Sequence, residues 1–310
     1  MTKVSIVMIV YNHERFLRSA LESILMQQVN FDYEIILGED CSTDDTRSIV
    51  EEYEEKFQGR LQAIYRCKNI GATQNFIDCL LKAGGKYIAF LEGDDYWIDK
   101  YKLQKMVDYL EKNPKYSAAA HNYQIVDVSN NYIRNGLECE SIVEFNKEEF
   151  EKFNLPSQTS TILMRNIIPQ IKKEDWDKII KYKWMPGDRI YFLILLQYGD
   201  IAILPQIMSA YRYYIEAGGT NWTSQYDIAA KQDYYYFFKT MCGMEQLSAE
   251  LGNPLNMLDA KVELFRKAVR YRRWSKHKIN LYLQCADMFF LEKHKIKFLK
   301  AVIKSFKTSR

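Results

Sequence analysis

The run Val4-Ser5-Ile6-Val7-Met8-Ile9-Val10 constrains this chain more than any other stretch. Seven residues rich in β-branched side chains, with almost no polar alternation, read as a strand buried on both faces, the habit of a parallel sheet covered by helices. The next hundred residues keep that grammar. From His13 to Gln28 the apolar residues Phe16, Leu17, Ala20, Leu21, Ile24 and Leu25 recur at helical spacing, so one face is buried. Tyr33 to Leu37 reads as a second strand and Leu61 to Tyr65 as a third. Between them, Ser42 three residues before an acid resembles a capping box opening a helix to about Phe57. Further helices are predicted over 73–83 and over 102–112, the latter stopped by Pro114. Strands and helices alternating in units of about 30 residues point to a doubly wound α/β sheet.

The most charged strand end in this series is Tyr87-Ile88-Ala89-Phe90-Leu91 running into Glu92-Gly93-Asp94-Asp95. Three carboxylates in four positions either form a solvated acidic turn or share a hard cation, which prefers oxygen ligands. A divalent ion touching a diphosphate would neutralise charge that the acids alone make worse. Ligands of such sheets sit beyond the carboxyl ends of the strands. Tyr11-Asn12, Glu39-Asp40, 66–69 and 92–95 all lie at those ends. There is no GxGxxG or Walker A sequence, which argues against the usual glycine-loop phosphate cradle.

These pieces, in this order, resemble glycosyltransferase family 2 enzymes of the GT-A fold over residues 3 to about 222. The matching segments are Val4 to Asn12, Glu39-Asp40-Cys41-Ser42-Thr43-Asp44-Asp45-Thr46, Asn69-Ile70-Gly71, Glu92-Gly93-Asp94-Asp95, Pro186-Gly187-Asp188, and Tyr211-Arg212 with Gly218-Gly219 and Trp222. The resemblance implies a mostly parallel, Rossmann-like sheet. It divides the chain into a transferase domain, 1–222, with a nucleotide-sugar half (1–122) and an acceptor half (123–222), followed by a basic, aromatic helical extension, 223–310. It also implies an inverting transfer from a nucleotide-sugar donor, UDP-linked, to a hydroxyl of a glycan or lipid-linked oligosaccharide.

Carried over residue by residue, the resemblance puts Tyr11 at the nucleobase with Asp40 accepting a hydrogen bond from it, and includes Asn12 and Asn69 among the nucleotide contacts. Asp94, Asp95 and Glu92 serve ribose and a divalent metal, Mn2+ or Mg2+, with three acids competing for two places. Asp188 is the general base of a single displacement, which needs one base and no protein nucleophile. Its structural alternative is an ordinary acid in the first turn of a helix. His121, Trp184, Arg212 and Trp222 are the acceptor-side candidates, with a structural histidine the competing reading of His121. Tyr214 stands where many relatives place a possible metal-ligating histidine. Cys41 replaces a frequent glycine, so no positive φ is expected there. A nucleotidyltransferase built on the same crevice, or a silent nucleotide-sugar-binding module, are the rival functions.

Composition narrows the class. With 310 residues, 47% hydrophobic and 27% charged, the chain can bury a sizeable core. Six scattered cysteines without a CxxC pair suggest neither a zinc ribbon nor a disulfide scaffold. The apolar run at the start is shorter than a signal segment or membrane span requires, so a cytoplasmic protein is expected. The net charge of +3 conceals an asymmetry: residues 261–310 hold fifteen bases against three acids, a net +12 that leaves −9 for residues 1–260. His294 to Arg310 places Ile296, Leu299, Val302, Ile303 and Phe306 on one apolar face. This region is expected to lie on the anionic inner face of the plasma membrane, or else to be a packed appendage with a solvated basic face. No nucleic-acid partner is expected, and oligomeric state has no signature in the sequence.

Overall fold

The computed structural model describes residues 2–214, 234–271 and 278–307. One ten-stranded sheet organises it, with the strand order β3-β2-β1-β4-β9-β6-β10-β5 and with β7 (Tyr132–Asn135) and β8 (Val143–Phe145) paired to β6 and β10. The strands β1 (Val4–Val10), β2 (Tyr33–Glu39), β3 (Leu61–Tyr65) and β4 (Tyr87–Phe90) run parallel, each linked to the next through a helix: α1 (Leu17–Leu25), α2 (Thr46–Lys56) and α3 (Ala72–Leu80). Then the sheet changes character. The short β9 (Leu163–Arg165) is antiparallel to both β4 and β6 (Tyr116–Val126), and β6 pairs in parallel with β10 (Asp200–Arg212). β5 (Tyr96–Trp97), preceding α4 (Lys102–Lys112), closes antiparallel on the outer side of β10.

The alternation of side chains along β1 explains the two-layered core. Val4, Ile6, Met8 and Val10 pack with α1, α2 and α4, whereas Val7 joins Ile36, Ile88 and Phe90 on the opposite face. That second face is covered by α3 and by α7 (Gly187–Leu195), which comes after α5 (Lys147–Glu151) and α6 (Lys173–Lys181). Met241, Met244 and Leu247 of α8 (Tyr234–Glu250) extend the same core. The 122/123 division therefore falls inside β6, and the described part of α8 packs directly on the transferase core.

Several expectations need correction. The helix read from Ser42 starts at Thr46. Ser42 is no cap, since its hydroxyl accepts the Asn12 amide at 3.1 Å, while Asp44 accepts the Thr46 amide at 3.0 Å. Cys41 has φ 61°, so the turn adopts the left-handed conformation that the loss of glycine argued against. Ahead of β9, Thr159–Thr161 form a 3-10 turn. β6 carries His121 and Asn122 in its middle and runs on to Val126.

Beneath the sheet's far half, Lys102 is 0% exposed with its ammonium 4.0 Å from the centre of the Trp97 ring. Its Nζ has no hydrogen-bond partner among the described residues, and neither has Nε2 of the fully buried His121 nearby. Burial drives the Lys102 amine well below its ordinary 10.5; burial and Lys102 together drive His121 well below 6.5. The unfolded chain therefore takes up protons that the folded chain refuses, and stability falls as pH drops below those ordinary values. Lys102→Met keeps the apolar stem and removes the stranded amine. It is expected to stabilise the fold by about 1–3 kcal/mol and to flatten the alkaline limb of a plot of Tm against pH, with the His121 limb retained.

Candidate active site

The carboxyl ends of β2, β1 and β4 stand side by side, and the loops after them interlock. Asn12 sits in the left-handed region at φ 57°, and its Oδ1 accepts the Thr43 amide at 2.9 Å. His13 donates its amide to the Thr46 hydroxyl at 2.7 Å, so the loop after β1 is fastened to the entry of α2. Asp40 is 3% exposed and binds the third loop. Its two carboxylate oxygens accept the Ile70 and Gly71 amides at 2.8 and 2.9 Å. Asn69 caps the same turn through Oδ1 to the Gly71 amide at 3.0 Å, and Gly71 supplies φ 86°. Tyr11, the residue just after β1, is half-buried.

Glu39 serves the frame rather than the crevice. Fully buried, it takes Arg47 through Nε at 2.8 Å and the Ser42 amide at 2.5 Å. The extra methylene relative to aspartate provides that reach.

The acidic turn is pressed against β1. A Cβ on Gly93 would meet His13 Nδ1 at 2.5 Å and Val10 Cγ1 at 2.7 Å, so only glycine allows this approach. Arg212 clasps the turn from β10. Its amide donates to Asp95 Oδ1 at 3.0 Å, its Nη1 donates to the Asp94 carbonyl, and its Nε reaches Asn130 Oδ1 at 3.0 Å. The guanidinium lies 4.8 Å from the Phe16 ring centre and 4.6 Å from that of Tyr96. At 2% exposure, Arg212 stands behind the turn rather than on an open acceptor surface.

Electrostatics ties this turn to α7. Burial first, then Asp94 and Asp188, push the Glu92 carboxyl up to about 8. Burial, Asp94 and Glu92 raise Asp95 well above the ordinary carboxylate range. Asp188, in the first turn of α7, accepts the Arg189 amide at 2.7 Å and is raised by burial, with Arg189 opposing. Glu92 thus feels Asp94 on its own turn and Asp188 on α7, and its Oε2 is buried with no donor among the described residues. A cation would relieve that repulsion, so the donor set suits a divalent ion. No three such side chains converge on one point among the described residues; an ion here would complete its shell with phosphate oxygens and water.

Two residues at the site escaped the sequence reading. Tyr191 lies one helical turn after Asp188, its ring 5.1 Å from that of Phe90 and its buried hydroxyl without a partner among the described residues. Thr159, in the 3-10 turn, is close enough to Glu92 and Tyr191 to oppose the upward shift that burial imposes on both. The Asp188-x-x-Tyr191 spacing, one face of a helix, was the available signal.

His121 is fully buried within β6, with Nδ1 2.7 Å from the Asn122 carbonyl, the structural placement. Trp184 packs against Gly243 of α8 and under the Lys239 ammonium, 4.6 Å from the ring centre. Tyr214 packs at a tilt of 52° against the Phe16 ring, with centroids 5.3 Å apart. Trp222 and Gly218-Gly219 lie outside the described residues.

A parallel sheet turning antiparallel at β9, with a crevice over the ends of β2, β1 and β4 and an acid-bearing turn leaving β4, defines the GT-A class of α/β fold. The S. aureus TarS 1–349 crystal structure in complex with UDP-GlcNAc has this fold: it superposes with a TM-score of 0.62 at 17% identity, covering 100% of this chain and 93% of that one. Residues 5–170 match the model of glycosyl transferase family 2, and the chain belongs to that family. An uncharacterised Mycobacterium tuberculosis (H37Rv) protein is 33% identical over 214 residues, 67% of this chain. This chain spans 58% of that relative's length. The Escherichia coli UDP-Glc:alpha-D-GlcNAc-diphosphoundecaprenol beta-1,3-glucosyltransferase WfaP is 30% identical over 182 residues, 57% of this chain and 68% of that one.

Proposed function

We propose that this chain transfers a sugar from a UDP-linked donor to a hydroxyl of a surface glycan or lipid-linked oligosaccharide, with inversion, using Asp188 as general base. The observation that carries this reading is the packing of α7 on the end of β4: Tyr191, three residues after Asp188, has its ring 5.1 Å from that of Phe90, two residues before Glu92, and Asp188 contributes to the upward shift of the Glu92 carboxyl. One side of the crevice then has groups for a nucleoside diphosphate and the other a base. The names of the relatives, and the UDP-GlcNAc bound by TarS, support the donor class.

In this reading Tyr11 packs against the nucleobase. Each Asp40 oxygen accepts one backbone amide and keeps a lone pair for a base N–H. Asn12 and Asn69 hold the loops that shape the pocket. Asp94, Asp95 and Glu92 would hold Mn2+ or Mg2+, whose charge, when bound, offsets that of the departing diphosphate. Asp188 accepts the proton of the acceptor hydroxyl as its oxygen attacks the anomeric carbon opposite the diphosphate. Its elevated basicity, caused by burial, suits that task.

Calorimetric titration of UDP, GDP and dTDP, with and without Mn2+, tests the nucleotide side. UDP is expected to bind at least about tenfold more tightly with the metal, and Asp95→Asn to abolish that gain. Metal-independent binding, or preference for GDP, would remove the uracil role of Asp40.

A further inference from the structure

The last described helix has two apolar faces, where the sequence suggested one. In α11 (Lys295–Lys307), which comes after α9 (Leu258–Tyr271) and α10 (Lys278–Leu291), Phe298 and Val302 turn inward. Phe298 packs edge-on against Phe238 and Phe265, with centroids 5.6 and 5.5 Å apart. Val302 thus leaves the face on which the helical spacing had placed it. Ile296, Leu299 and Ile303 form a separate stripe, 74, 47 and 49% exposed, and nothing among the described residues covers it. Spacings of three and four residues put them in one row. Phe290, 71% exposed, stands at the end of α10 just before the connecting turn.

Beside that row runs another. Lys297, Lys300 and Lys304 repeat the same spacing one step around the helix, all exposed. Residues 293–310 hold seven bases and no acid. The basic surface is not uniform, however: Lys261 is buried and paired with Glu245 at 2.8 Å and with buried Glu292, so it belongs to the helical core.

We infer that the exposed face of α11 is a docking surface for an anionic lipid bilayer, with Ile296, Leu299 and Ile303 entering the headgroup boundary and the lysine row meeting acidic headgroups. An apolar stripe bordered by cations fits such a surface. A second copy of the chain fits poorly, because a self-complementary contact would bring lysine rows toward each other with no acid in 293–310 to answer them. A nucleic-acid backbone would use the lysines and leave the stripe wet. No described helix is long and apolar enough to cross a membrane, so this is contact with one leaflet. The inference is independent of the transfer chemistry, since vesicle binding is read without any sugar donor.

The test is flotation of the full chain with vesicles of phosphatidylcholine alone and with about a third phosphatidylglycerol, at low and physiological salt. The native chain is expected to float with the anionic vesicles at least about tenfold better than with the neutral ones. The triple variant Ile296→Ser, Leu299→Ser, Ile303→Ser should lose at least about tenfold of that binding, and Lys297→Gln, Lys300→Gln, Lys304→Gln should lose the anionic preference. Ile296, Leu299 and Ile303 are exposed, so the serine variant should keep the native Tm. Equal flotation with both vesicle types, no flotation, or binding unchanged by the serine variant would overturn the proposal. So would light scattering showing a native dimer that the serine substitutions convert to a monomer.

Discussion

Asp188→Asn is expected to lower sugar-transfer turnover by roughly 10²–10⁴-fold while leaving UDP affinity within about twofold of native. The substitution is nearly isosteric, and the asparagine oxygen can still accept the Arg189 amide that Asp188 Oδ1 accepts at 2.7 Å. What disappears is the ability to take a proton. Because Asp188 lies on α7, away from the strand ends at which Asp40 and the Ile70-Gly71 amides meet, the nucleotide side should not register the change. A second consequence separates this role from a helix-terminus effect. Asp188 raises the Glu92 carboxyl, so its neutralisation should lower the Glu92 value from about 8 and shift the pH dependence of any metal binding downward. An ordinary first-turn acid would cost only about 0.3–1 kcal/mol of stability and leave turnover intact.

Arg212→Ala should be the most damaging single change to the fold around the site, at about 3–5 kcal/mol. Arg212 is buried, stands between two rings and donates to the Asp94 carbonyl and to Asn130. Its charge also lowers the Asp95 carboxyl, whose other neighbours, Asp94 and Glu92, are acids. Removing it leaves a buried carboxylate that shares its turn with like charges and has lost its nearest cation. Thermal denaturation should show the loss, and a double-mutant cycle with Asp95→Asn should recover part of it, because the repelling charge is then gone as well. Arg212→Lys should rescue incompletely: an ammonium cannot reach Asn130 and Asp94 at once from a planar fork. A fully additive cycle would mean that Arg212 acts through its bonds to Asn130 and the Asp94 carbonyl and its packing on Phe16 and Tyr96, with no contribution from the Asp95 charge.

The parallel half of the fold was legible because its signals are local. Val4–Val10 carries its double burial in its composition, and the acids of Glu92-Gly93-Asp94-Asp95 follow directly on the apolar run of β4. What escaped depends on partners distant in the chain. Ser42 and the acid after it imitate a cap, but Asn12, thirty positions earlier, claims the hydroxyl. Cys41 is held at positive φ by the turn in which Glu39 accepts the Ser42 amide and Asp40 ties down the third loop. β6 runs on through His121-Asn122-Tyr123-Gln124, a polar stretch with weak strand preference, because β10 pairs alongside it. Likewise Arg212 reads as an acceptor-side residue until β10 is seen to carry it behind the acidic turn. In α11 the helical period was right, but a helix with apolar residues on two sides does not announce which side meets the core.

The most direct test of the central claim is a transfer assay with UDP-linked α-sugars and a soluble polyprenyl-diphosphate-linked N-acetylglucosamine acceptor, monitoring both the released nucleotide and the anomeric proton of the product. The proposed chemistry predicts free UDP, a β-linked product, and loss of both signals in Asp188→Asn. Release of pyrophosphate, or a product that retains the donor's α configuration, would contradict it.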